Sequence, residues 1–99
     1  MSYVIIQPET LIAATSDLQR IGAAMSAGNA VAAVPTTEVM PAASDAVSVL
    51  TATQFATHAA MYQAAGNHAA VVHDLFVAAM GASARSYADT EGANAIAAS

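Results

Sequence analysis

The sequence predicts an all-α fold: an antiparallel two-helix hairpin that contributes half of an elongated four-helix bundle. Three observations carry this. From Ala46 to Ala84 the chain has one charged residue, Asp74, and no proline. Larger apolar residues recur at helical spacing on both sides of a connection bracketed by Pro35 and Pro41. Ala supplies more than a quarter of the residues; it favours helix because it loses no side-chain entropy, yet it buries little surface. A helix over Ala46–Ala84 would be a rod of roughly 58 Å at 1.5 Å per residue. A compact domain of this size has a radius of gyration of about 13 Å, so such a rod cannot bury itself within its own chain.

The elements follow in order. Residues 1–7 read as an extended lead-in, with Tyr3, Val4, Ile5 and Ile6 folding back onto a helix. Pro8 suits the first helical position, where its missing N–H is not needed. Glu9 falls in the first turn, where the helix dipole favours an anion. Helix 1 is expected over about 8–34. Leu11, Leu18 and Met25 recur every seven residues, with Ala14, Ile21 and Gly28 between them, which is an a/d seam. Asp17 and Arg20 are three apart and are expected to pair on the outer face.

The connection is expected over about 35–41, because each proline disfavours helix at the residue before it. Helix 2 is expected over about 42–87. Val47, Leu50, Gln54, Thr57, Met61, Ala64, His68, Val71, Leu75 and Ala78 form one seam. Phe55, His58, Tyr62, Ala65, Ala69, Val72, Phe76 and Ala79 form a second, one residue on. Helix 1 is expected to cover one seam and a second helix pair the other, as in a four-helix bundle. Leu11, Leu18, Ile21, Met25, Val47, Leu50, Phe55, Met61, Tyr62, Val71, Val72, Leu75 and Phe76 are the expected interface. Gly66 and Gly81 read as points of close helix approach. Residues 88–99 form a polar, small-residue tail, and the end at Ser99 leaves room for a longer C-terminal region.

Composition excludes several functions. The net charge is −5, with two Arg and no Lys, which argues against nucleic acid, where phosphate neutralisation supplies most of the affinity. No apolar run reaches the 18 residues of a membrane span, and the N-terminus lacks a basic n-region. Cysteine is absent, so disulfides and thiolate metal sites are excluded. His58 and His68 are ten apart and His68 and His73 five apart, whereas a helical two-histidine site needs three or four. His58 and His68 are expected to pack within the seams, and His73, beside Asp74, to lie on the outer surface. There is no Gly-x-Ser-x-Gly elbow and no phosphate loop. The acidic residues are spread along the rod rather than gathered in a pocket. No enzymatic activity, cofactor, metal or small-molecule substrate is therefore expected.

Tyr87 and Glu91 are spaced i, i+4, which stacks them on one face of a continuing helix. Two readings stand: a tyrosine that caps the bundle end, or a recognition signal.

The ordered set of these features resembles the PE family of mycobacteria, named for a Pro-Glu pair near the N-terminus. Here the pair is Pro8-Glu9. The likeness spans the Met-Ser-Tyr-Val-Ile opening, the Pro-bounded loop, the Ala-rich second helix and the Tyr87-Ala88-Asp89-Thr90-Glu91 run that follows it. The resemblance implies a hairpin that pairs with a PPE protein, and export of the pair by an ESX, or type VII, secretion system. It implies that Tyr87 and Glu91 are the export signal, acting with a Trp-x-Gly turn of the partner. A cytosolic ESX-specific chaperone is expected to hold the PPE subunit and not this chain. The implied location is cytoplasmic as a chaperone-bound complex, then secreted or associated with the cell surface or cell wall. A self-assembling homodimeric bundle with a scaffold or surface role is the alternative that the apolar seams allow equally well.

Overall fold

The computed structural model describes residues 7–99. The expected lead-in over 1–7 therefore lies, apart from Gln7, outside the described residues. Two helices make up the rest: α1, Pro8–Thr37, and α2, Ala46–Ala98. They pack against each other as the expected hairpin, with no strand among the described residues. The molecule measures 80 × 24 × 16 Å with a radius of gyration of 22.8 Å, far from the roughly 13 Å of a compact chain of this length.

Local chemistry explains the helix ends. The backbone of Gln7 is extended, and its carbonyl accepts from the amides of Thr10 and Leu11 at 3.0 and 3.2 Å. Pro8 follows at the first helical position and is buried. α1 outruns the expected boundary near Val34 and carries Pro35 inside its final turn. A proline forfeits one backbone hydrogen bond. Here that loss falls three residues from the end, where few further bonds depend on it. The hydroxyls of Thr36 and Thr37 donate to the carbonyls of Ala32 and Ala33, both at 2.6 Å, and the amide of Glu38 closes the turn on Val34.

α2 begins later than expected. Pro41, Ala42, Ala43 and Ser44 stay outside it, and Asp45 is the cap. Its carboxylate accepts from the amide and from the hydroxyl of Ser48, both at 2.9 Å. These two bonds, the amide first, hold the Asp45 carboxyl below its ordinary value. At the other end α2 does not stop near Tyr87 but continues to Ala98, at about 1.5 Å per residue the full 80 Å of the molecule. Residues 85–98 are exposed on all sides.

The hairpin is closed by neither expected seam. Ala52, Ala56, Ala59, Gln63, Gly66, Ala70, His73, Val77, Met80 and Ala84 recur at alternating steps of four and three. Every one of them is buried or half-buried. This third seam is the face α1 covers. α1 brings Leu11, Thr15, Leu18, Gly22 and Asn29 to it, all buried or half-buried. Among the described residues, Ala52, Val77 and Ala84 are the buried apolar side chains of the core. Small side chains win this face because a two-helix contact has no depth: close backbone approach buries more than bulk would.

Candidate partner interface

Three contacts fix the antiparallel register of the hairpin. Near one end, a Cβ on Gly81 would lie 3.8 Å from Thr15 Cγ2. Midway, His73 Nε2 lies 2.8 Å from the carbonyl oxygen of Leu18. Further along, the side-chain amide of Gln63 donates to the carbonyl of Asn29 at 3.1 Å. Two glycines admit the polar contacts. A Cβ on Gly22 would sit 2.7 Å from His73 Cδ2, and one on Gly66 would sit 3.2 Å from Asn29 Nδ2. The expectation of close approach at Gly66 holds; Gly22 was not singled out from sequence, and its signal was the helical spacing from Thr15 that the leucine heptad concealed.

The expectation for His73 is corrected. His73 is half-buried in the hairpin, whereas His58 and His68 are exposed. Gln54, Thr57 and His68 are likewise exposed on the single chain. Thr15, the buried polar residue, is satisfied by donating to the Leu11 carbonyl at 2.8 Å. Asp17 and Arg20 pair on the exposed side of α1, as their spacing suggested. Among the described residues no group of three or more His, Cys, Asp or Glu is placed to hold a metal ion. No helix among them is long and apolar enough to cross a membrane.

The expected interface residues fall into two sets. Leu11 and Leu18 are half-buried against α2. Ile21, Met25, Val47, Leu50, Phe55, Met61, Tyr62, Val71, Val72, Leu75 and Phe76 are exposed. Leu75 keeps 66% of its surface and Phe55 64%. Nine of the eleven lie on α2, along the two seams that α1 leaves bare. α2 therefore presents most of its large apolar side chains outward and, Gln63, His73, Val77 and Met80 apart, small ones inward. The outer side of α1 differs: it carries Glu9, Asp17 and Arg20.

Tyr87 and Glu91 continue the inner seam by steps of three and four beyond Ala84. Thr15 lies beside Gly81, so the antiparallel register carries Pro8, the first residue of α1, to about the level of Tyr87. Tyr87 thus lies on the inner face at the start of α1 and Glu91 one turn beyond it, and both are exposed.

A family model described as the PE family matches residues 4–94. The chain belongs to the PE family. PE family protein PE13 of Mycobacterium tuberculosis (strain ATCC 25618 / H37Rv) is 59% identical over 99 residues, which is 100% of both chains. The uncharacterized PE-PGRS family protein PE_PGRS34 of Mycobacterium tuberculosis (strain CDC 1551 / Oshkosh) is 50% identical over 97 residues, covering 98% of this PE chain and 19% of that protein. This PE chain thus matches PE13 end to end and spans about a fifth of PE_PGRS34. A third relative corrects the expectation of no enzymatic activity. Esterase PE16 of Mycobacterium tuberculosis (strain ATCC 25618 / H37Rv) is 46% identical over 95 residues, covering 96% of this chain and 18% of PE16. Membership of the PE family therefore does not exclude an enzyme.

Proposed function

We propose that this PE chain is one half of a heterodimer with a PPE protein, and that the pair is exported by a type VII (ESX) secretion system with Tyr87 and Glu91 as its signal. The observation that carries the reading is the bare outer face of α2. The chain exposes 7465 Å², against roughly 5,200 Å² for a compact monomer of its mass. The excess of about 2,300 Å² belongs to an elongated chain that leaves its large apolar side chains exposed. Each large side chain moved from water contributes about 1.5–3 kcal/mol. Phe55, Tyr62, Val72 and Phe76 on one seam, with Leu50, Met61, Val71 and Leu75 on the other, supply a surface two helices wide. Before export the pair is cytoplasmic, with an ESX-specific chaperone bound to the PPE subunit. Afterwards it is secreted or held at the cell surface or cell wall.

Co-expression with a PPE protein tests the pairing. A soluble complex with one copy of each chain is expected, with this chain poorly soluble alone. A stable helical monomer would end the proposal, and a complex whose mass is two copies of this chain would establish the homodimeric bundle instead. Tyr87→Ala and Glu91→Ala are each expected to abolish export while leaving the pair intact. Both residues are exposed at the open end of the hairpin, so loss of pairing would make them structural rather than a signal.

A further inference from the structure

Beyond the level of Pro8, α2 runs on alone. Ala88 to Ala98 add about 16 Å of helix at 1.5 Å per residue. The inner face continues along this overhang: Ala84, Ala88, Glu91, Ala95 and Ala98 step by four, three, four and three. Within the hairpin α1 lays Leu11 and Leu18 on that face, and both are half-buried. On the overhang Tyr87, Ala88, Glu91 and Ala95 are exposed, with nothing of α1 left to cover them. One segment of the same chain begins beside them. Gln7 is extended and leads directly into Pro8, so the chain enters α1 at the foot of the overhang. Six residues precede Gln7, and Tyr3, Val4, Ile5 and Ile6 among them are large and apolar. Six extended residues reach ~20 Å, enough to span the overhang.

We propose that residues 1–6 are an intramolecular cover: they lie extended along the overhanging inner face of α2, over Tyr87 and Glu91, where α1 itself has ended. Three features specify this occupant. The face continues the contact between α1 and α2, and the segment continues α1. Attachment at Pro8 holds the segment beside the face at a roughly millimolar effective concentration, an advantage no separate chain has. An extended segment carries unpaired backbone amides, and Glu91 supplies an acceptor for them, which offsets the desolvation of its carboxylate. A receptor that reads Tyr87 and Glu91 must first displace the cover; that consequence rests on the signal proposed above, whereas the docking does not.

The absence of cysteine makes the test clean. Val4→Cys is combined in the full chain with Ala95→Cys, on the inner face, or with Ala93→Cys, about 200° around the helix from it. Cells expressing each chain are treated with a short bismaleimide, and the internal link is read by intact mass after isolation under denaturing conditions. Linking to Ala95→Cys is expected to be roughly tenfold faster than to Ala93→Cys. Ile5→Asp with Ile6→Asp keeps the tether and removes the apolar contacts, and is expected to bring the two rates within about twofold. Equal rates without the aspartates overturn the cover, as does a preference for Ala95→Cys that the aspartates leave intact. A linked product of twice the chain's mass would assign the segment to a second copy and also overturns it. Ala88→Cys, between Tyr87 and Glu91, is expected to label with a simple maleimide about fivefold faster once the two aspartates are present; equal labelling likewise overturns the cover. No arm depends on a partner or on export, so failure here leaves the pairing standing.

Discussion

The two faces of α2 obey opposite rules. The face turned to α1 carries Ala52, Ala56, Ala59, Gly66, Ala70 and Ala84, whereas the face turned to solvent carries Leu50, Phe55, Met61, Tyr62, Val71, Val72, Leu75 and Phe76. A self-sufficient domain does the reverse, because burying large apolar side chains is its main source of stability. The difference separates two tasks. The inner face sets geometry: small residues bring two backbones together, and the His73 and Gln63 bonds fix their register. The outer face leaves its large apolar side chains exposed, the surface that the proposed partner would bury.

That division predicts a graded set of outcomes. Phe76→Asp places a carboxylate on the outer face. It is expected to weaken pairing at least a hundredfold, about 3 kcal/mol from lost apolar burial and the desolvation of a charge. Circular dichroism of the variant should show unchanged helix content. A change there with pairing preserved would erase the distinction between the faces. Gly22→Ala acts inward: its Cβ collides with the His73 ring, which must turn and release the Leu18 carbonyl. Overpacking of this kind costs about 1–3 kcal/mol, read as a lower thermal midpoint of the complex. His73→Ala in the same chain removes the collision, so the double variant should lose less than the sum of the two single changes. Strict additivity would show that the glycine serves something other than the histidine.

Val77→Ala removes two methyl groups from the best-buried large position of the inner seam. About 1.5 kcal/mol of hairpin stability is expected to go with them, seen as faster amide exchange in both helices. If exchange quickens in α2 alone, the inner seam is not what joins the two helices. The smallest effect belongs to the cap. Ser48 holds the Asp45 carboxyl below the ordinary aspartate value of 3.8, so the group binds its proton less readily folded than unfolded. The cap's contribution is therefore fully present above that ordinary value and is lost as pH falls through the lower folded value. Amides in the first turn of α2 should lose protection over that acid range, and Asp45→Ala should remove the pH dependence. Retention of it in Asp45→Ala would assign it to another carboxylate.

Much of the fold was readable from local rules. Pro8 and Glu9 opened a helix because the first turn tolerates a missing N–H and favours an anion. The Ala-rich, proline-free stretch after Asp45 had no means of ending early. The boundaries were less readable. Pro35 stops a helix in isolation, but in the last turn it forfeits little and two threonine hydroxyls bind nearby carbonyls. The largest shift concerned the faces of α2. Its bulky residues trace two clear seams, and size suggested that one of them met α1. Which of three neighbouring seams a second helix selects depends on how closely the backbones approach, and that distance is absent from any count of apolar residues. His73 followed from the same misplacement: beside Asp74 it looked like surface, although its ring lies on the side facing Leu18. The bare interface was legible as residues but not as a surface.

By itself, the sequence determined two long helices, an antiparallel return between them and a surplus of apolar side chains that one chain of this length cannot bury. Those properties follow from backbone propensity, proline chemistry and the ratio of length to core volume, all of which act locally or through composition. Tertiary structure alone decided that the mostly small seam faces inward, that the large seams face out, that His73 and Asn29 pack against Gly22 and Gly66, and that Tyr87 and Glu91 lie on the inner face at and just past the start of α1. Each depends on the relative rotation and spacing of two helices, which the whole set of contacts settles jointly and no single residue encodes.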